Sequence, residues 1–214
     1  MTLRCGPRQD HYVIPQIDSR ALAAQDPGAG LMCFFVYWQP DPSALNPEMP
    51  GRKVHITAFM PLRPGEPCLC GSGKPFGECC QTLPRCRLVC ENYPRSTYNA
   101  MRPARALFRR VDGGRIKALL DDDTRIRCVE ETPARRFWLY DGDPCYESAY
   151  GIQSFGDIEL RDREDLIASA LSETRMDLLL GFLKEVTGLD APEITKDPPV
   201  FVDRPGRGRG MRRQ

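Results

Sequence analysis

The chain has 214 residues, and its 30 basic side chains against 29 acidic ones leave a net charge of +1. That balance excludes a partner selected by overall charge and leaves only local asymmetries to argue from. With 41% apolar and 28% charged residues, the composition is that of a chain with a core, which excludes a wholly disordered or collagen-like protein.

The residues after Met1 lack the apolar stretch of a secretion signal. The longest apolar run, LMCFFVYW at 31–38, is too short to cross a bilayer. The expectation is a cytoplasmic protein without membrane insertion. In such a reducing compartment, clustered cysteines favour metal or redox chemistry over disulfides.

In chain order, 31–38 is short and rich in aromatic and β-branched residues, which predicts a buried strand. Residues 53–60, KVHITAFM, alternate between an apolar face (Val54, Ile56, Ala58, Met60) and a polar one, which predicts a half-buried strand. A proline-rich loop joins the two, so 1–62 forms a β-rich N-terminal region. Prolines at 61, 64 and 67 then extend the chain into a cysteine-dense segment, 63–82.

Residues 81–103 show no clear period and read as mostly irregular. PARALFRR at 103–110 predicts a short helix with Pro103 near its start. RFWLY at 136–140 predicts a strand. Residues 155–160 and 165–170 predict a β-hairpin closed by the polar turn RDRE. An amphipathic helix follows, with Ser172 as N-cap, Met176, Leu179, Leu180, Leu183 and Val186 at helical spacing, and Gly188 as its stop. Residues 83–190 thus form an α+β C-terminal region. Residues 191–214, rich in Pro, Gly and Arg, lack the apolar side chains to offset ordering entropy and are expected to be disordered.

The chemistry concentrates in CLCGSGKPFGECC, residues 68–80, which holds four of the chain's ten cysteines. Thiolates bind a borderline-soft ion at about 2.3 Å, usually four in a tetrahedron. Cys68 and Cys70 offer two sulfurs from one short turn, Cys79 and Cys80 two more from the returning chain, and the eight residues between are long enough to loop back. Gly71, Gly73 and Gly77 permit positive φ in a tight turn. Amides of the turn can donate to the sulfurs, so that Gly71, Ser72, Gly73 and Lys74 surround them. Lys74 would balance the formal −2 charge of a four-thiolate centre. Other chemistries fit less well. Adjacent cysteines form disulfides only with strain, the C-x-x-C spacing of redox pairs is absent, and GSGK lacks the first glycine and the final Ser or Thr of a phosphate-binding loop.

PCLCGSGKPFGECC resembles the SEC-C motif, the short metal-binding module at the C-terminus of the SecA translocation ATPase and of many small bacterial proteins. Cys68, Cys70, Cys79 and Cys80 fall on its ligand positions, and Pro67, Gly71, Ser72, Gly73, Lys74 and Phe76 match its frame. Pro75, Gly77 and Glu78 stand where the family often has further basic residues. The resemblance covers about twenty residues and no ATPase motor. It implies bound zinc, with iron as the alternative because four thiolates also suit iron. It also implies contact with other macromolecules, since the module meets the chaperone SecB and ribosomes in SecA-like proteins.

The remaining chemistry-bearing residues read as structural. Cys86 and Cys90 stand at i, i+4 and could be spare ligands or a redox pair, but small apolar packing is the more common use of such cysteines. Cys5, Cys33, Cys128 and Cys145 are scattered. His11 and His55, the only histidines, belong to no catalytic motif. Asp121, Asp122 and Asp123 lack the spacing of a calcium loop and suit a turn. The last eleven residues hold Arg204, Arg207, Arg209, Arg212 and Arg213 and no acid, so they can contact RNA or phosphate surfaces.

The reading is an α+β protein: a β-rich N-terminal part, a central zinc knuckle, and a C-terminal β-hairpin plus amphipathic helix. The expected function is non-catalytic zinc binding and contact with another macromolecule (a protein, a chaperone or the ribosome). RNA or ribosome association through the arginine-rich end, or an enzyme with dispersed site residues, are the alternatives.

Overall fold

A computed structural model describes residues 11–13, 28–40, 53–91, 97–141, 147–148, 151–152 and 155–204. In chain order the strands β1 (His11–Val13), β2 (Gly30–Pro40) and β3 (Lys53–Leu62) lead into the cysteine segment. There follow β4 (Cys86–Glu91), β5 (Tyr98–Ala100), β6 (Ala104–Phe108), α1 (Gly113–Asp121), β7 (Ile126–Thr132) and β8 (Arg135–Tyr140). A short pair, β9 (Glu147–Ser148) and β10 (Gly151–Ile152), precedes β11 (Gly156–Arg161), β12 (Asp165–Ala170), α2 (Glu173–Thr187), β13 (Glu193–Lys196) and β14 (Phe201–Val202). The fold is α+β and rich in strands. It divides into two compact units: Met1–Cys90 with Phe201–Gln214, and Glu91–Val200.

The first unit is built on a sheet in the order β1-β3-β2-β4-β14. The two strands expected at 31–38 and 53–60 form its antiparallel centre, in register from Gly30↔Leu62 to Pro40↔Lys53 with one irregularity between Phe35 and Tyr37. β4 lies parallel to β2, pairing Cys33 with Leu88 and Phe34 with Val89. This strand corrects the irregular reading of 81–103. Leu88, Val89 and Cys90 are all fully buried, so the segment has the continuous apolar run of a strand covered on both faces and no alternation to reveal it. Cys33 and Cys90, each fully buried, fill this core beside Met32.

In the second unit all neighbours in the order β13-β6-β12-β11-β8-β7 are antiparallel. The expected hairpin is β11–β12, and its turn carries Asp162 and Arg163 at φ 49° and 60°. That left-handed pair twists in the sense that closes antiparallel strands tightly. α2 starts where Ser172 Oγ accepts from the Arg175 amide (3.3 Å) and stops at Gly188, φ 74°. Met176, Leu179, Phe182 and Leu183 bury its inner face against β12, β11 and β6. Each such side chain contributes about 1.5–3 kcal/mol on burial.

Two further expectations are corrected here. Residues 104–108 form the strand β6, not a helix: Ala104, Ala106 and Phe108 are buried while Arg105 and Leu107 are half-buried, a period of two. Pairing with β12 on one side and β13 on the other overrides the helical preference of Ala, Leu and Arg. Of residues 191–214, expected to be disordered, Glu193–Lys196 supply β13 to this sheet and Phe201–Val202 supply β14 to the other, while 205–214 lie outside the described residues. The ladder hydrogen bonds of existing strands order β13 and β14, so they need little apolar content of their own. α1 has no counterpart among the expected elements, and it opens on Gly113–Gly114, two weak helix formers. Asp112 caps it by accepting from the Arg115 amide (3.1 Å), and Ile116 and Leu120 anchor it.

Candidate metal centre

Residues 64–83 form a compact knuckle within the first unit. Pro67 and Pro75 make an isolated antiparallel bridge, flanked by hydrogen bonds from the Cys68 amide to the Lys74 carbonyl and from the Phe76 amide to the Glu66 carbonyl, each 2.8 Å. Between these bonds the chain reverses through Gly71 and Gly73 at φ 80° and 72°, where other residues would be strained. Two single 3₁₀ turns, Phe76–Glu78 and Cys80–Thr82, bring the second cysteine pair back. Phe76 is fully buried and anchors the knuckle against β2. A Cβ built on Gly30 would stand 2.6 Å from its ring, so that close approach requires glycine.

The folding of this loop brings four sulfurs together. The Sγ atoms of Cys68, Cys70, Cys79 and Cys80 all lie within 4.8 Å of one another. Cys68–Cys70 is 3.4 Å, Cys70–Cys79 3.6 Å and Cys79–Cys80 3.9 Å. A tetrahedron with ligands at about 2.3 Å has edges of about 3.8 Å, and these separations bracket that value. Cys68, Cys70 and Cys80 are buried, and Cys79 is partly exposed. The donor set therefore fits one thiophilic metal ion, whose four positions the protein sulfurs could fill.

The local electrostatics favour such an ion. Burial pushes the Cys68 and Cys80 thiols up, and for Cys80 the neighbouring sulfurs of Cys68 and Cys70 push further in the same direction. Burial also opposes ionisation of Cys70, but hydrogen bonds from Ser72 and Cys68 outweigh it and bring that thiol down to about 6. Without a cation, Cys70 ionises readily while Cys68 and Cys80 resist, as expected where burial and nearby thiols act together in one site. A bound dication removes that conflict, because it compensates the thiolates it gathers.

The surrounding residues orient the sulfurs. Ser72 Oγ lies 3.2 Å from Cys79 Sγ and accepts from the Lys74 amide at 3.3 Å. The Ser72 amide and hydroxyl both act on Cys70, and the Cys70 and Cys80 amides act on Cys68. Gly71, Ser72, Gly73, Lys74 and Pro75 are exposed and form the solvent-facing tip.

Arg204 has a role that sequence reasoning missed. Its guanidinium donates to the carbonyls of Gln81 (2.9 Å), Leu83 (2.9 and 3.3 Å) and Cys80 (3.3 Å). A single arginine among five in a Gly-Arg stretch carries no signal that would set it apart. Arg207, Arg209, Arg212 and Arg213 lie outside the described residues, as do Cys5 and Cys145. Cys86 and Cys90 are buried in β4, and Cys86 donates to the Leu31 carbonyl at 3.7 Å. Cys128 is exposed on β7. The three aspartates do not converge on a cation: Asp121 accepts from the Trp138 indole (2.9 Å) and from Arg136, Asp122 caps α1, and Asp123 accepts from Arg125.

The first unit is thus a small β-sheet module whose knuckle can hold a metal ion. The chain matches the family model of the SEC-C motif over residues 66–82, the segment that contains all four sulfurs. No curated protein and no solved structure is similar to the chain. Among the described residues no helix is long and apolar enough to cross a membrane.

Proposed function

We propose that the chain is a cytoplasmic zinc-binding protein that acts without catalysis, by contact between its SEC-C knuckle and another macromolecule. The observation that carries the reading is the convergence of four cysteine sulfurs within 4.8 Å inside that motif. Four thiolates suit zinc, and with all four positions taken by protein no place remains for water or substrate. The ion's contribution is then to hold the loop, since metal affinity becomes local folding energy. The exposed tip, Gly71 to Pro75, is the part of the knuckle a partner protein, chaperone or ribosome would meet.

Metal analysis of the purified chain tests the first half of this reading. The expected result is about one zinc per chain, lost in Cys70→Ser and retained in Cys128→Ser. Iron at the same stoichiometry, seen by its visible absorption, would replace zinc with the alternative four-thiolate ion. Full metal content in a variant lacking Cys79 and Cys80 would overturn the site. Ribosome and RNA binding at several salt concentrations tests the second half. The rival contact is the run of Arg204, Arg207, Arg209, Arg212 and Arg213, which has no acid among them. If that run makes the contact, removing 205–214 flattens the salt dependence, because fewer counterions are released. If the knuckle makes it, replacing Lys74 weakens binding and the deletion does not.

A further inference from the structure

The segment that closes the cysteine knuckle comes from the far end of the chain. After the second unit, β14 returns to pair with β4, Phe201 opposite Arg87 and Val202 opposite Cys86. Val202 is 3% exposed, and the Arg87 guanidinium lies over the Phe201 ring at 5.6 Å. Arg85 donates to the Phe201 carbonyl (2.9 Å) and to Asp203 Oδ1 (3.0 Å). These contacts carry Arg204 onto the 3₁₀ turn Cys80–Thr82, where it meets three successive-turn carbonyls of the cysteine segment: Cys80, Gln81 and Leu83.

We infer that residues 201–204 are a clasp for the metal centre, with Arg204 as its positioning residue. The inference rests on the proposed reading that the four thiols hold zinc. Cys79 and Cys80 are adjacent, so their sulfurs can face one ion only while the backbone around them is held in a single shape. Cys79 has φ −128° and ψ −104°, neither helical nor extended. The turn that follows closes by long backbone hydrogen bonds, Thr82 to Cys79 at 3.3 Å and Leu83 to Cys80 at 3.4 Å. Arg204 adds charge-assisted donors to the same stretch, and these are stronger than bonds between neutral groups. Its planar fork can reach several carbonyls at once, which a lysine ammonium on a flexible stem cannot reproduce. Its positive charge lies at the Cys80 carbonyl, and a centre of four thiolates and a dication would carry −2. The coupling is reciprocal: what the clasp does for the metal, the metal does for the clasp.

The test uses the full zinc-loaded chain and compares wild type, Arg204→Ala, Arg204→Lys and a deletion of 205–214. Zinc transfer to a chromogenic chelator is timed. Arg204→Ala is expected to release zinc about tenfold faster, Arg204→Lys to fall between it and wild type, and the deletion to match wild type. Hydrogen exchange is measured on wild type with and without zinc. Removal of zinc is expected to speed exchange at Phe201 and Val202 and to leave Leu166 in β12 unchanged. Should Arg204→Ala fail to fold, Arg204→Lys and the exchange experiment carry the test. A wild-type chain that takes up no zinc overturns the zinc reading and this inference together. Zinc bound normally, with release unchanged by Arg204→Ala or Arg204→Lys and exchange at 201–202 indifferent to zinc, overturns the clasp alone.

Discussion

The second unit and the cysteine knuckle of the first are held by different physics. In Glu91–Val200, the apolar faces of α1 and α2 meet a six-stranded antiparallel sheet, and Leu120, Trp138, Ile158, Leu166, Leu179 and Leu183 are fully buried. Such a unit draws its stability from apolar area removed from water. In the first unit, the knuckle at 64–83 buries Phe76 and little other hydrocarbon, and its interior is occupied by thiols, of which burial and the neighbouring sulfurs hold Cys80 in its protonated form. That arrangement fits an interior that can hold a metal ion. A core of hydrocarbon is complete when the chain folds, whereas a core of thiols is completed by what it binds.

The largest expected effect separates the units outright. Cys70→Ser should abolish metal retention and expose the amides of 66–83 to exchange, while the exchange of α2 stays as in wild type. Equal deprotection in both units would show that one cooperative core spans them. A core truncation should do the reverse. Leu179→Ala removes a fully buried side chain from α2 and should destabilise the second unit by about 2–5 kcal/mol. Chemical denaturation monitored at Trp138 measures the loss. Metal content should remain one ion per chain.

Electrostatics inside the second unit offer a finer test. Glu159 is buried on β11, and burial alone would raise its carboxyl, but hydrogen bonds from Arg161 (2.7 and 2.8 Å) and Arg135 (2.6 Å) hold it below the usual glutamate value of 4.5. A carboxyl depressed in the folded state stabilises it fully above that usual value, and the contribution is lost as pH falls through the depressed one. Glu159→Gln should therefore cost about 1–2 kcal/mol at neutral pH, discounted for the partly exposed arginines, and progressively less as pH falls below the usual value of 4.5. Denaturation midpoints across that range check it, and an unchanged difference at low pH would remove the charge from the explanation. The smallest effect belongs to the helix start. Ser172→Ala deletes the cap on the Arg175 amide and should cost about 1 kcal/mol, with no change in zinc release.

What was legible in the residues was whatever depends on neighbours close in sequence. The hairpin at 156–170 and the helix at 173–187 announce themselves through alternation, a polar turn, a Ser cap, an apolar stripe and a terminal glycine. The four sulfurs announce themselves because their spacing is a local property of thirteen residues. β4 and β6 were misread because sheet pairing makes them strands, and their partners lie tens of residues away. Arg175 shows the same limit: on the helix pattern it is an ordinary first-turn arginine, yet it is 4% exposed, stacked over Phe155 and donating to the Glu91 carbonyl.

The amino-acid sequence by itself determined the fold class and the identity of the metal-capable cluster. Period, capping and ligand spacing are properties of one or two turns of chain, so they can be read without knowing distant contacts. Only the tertiary structure decided where the chain divides and what finishes the knuckle. It returns Phe201 and Val202 to β4 after more than a hundred residues, buries Phe76 beneath Gly30, and sets Arg204 on the carbonyls behind Cys80. Those partners are chosen by the free energy of pairing a strand edge and satisfying backbone carbonyls, and that energy exists only once both segments are in place.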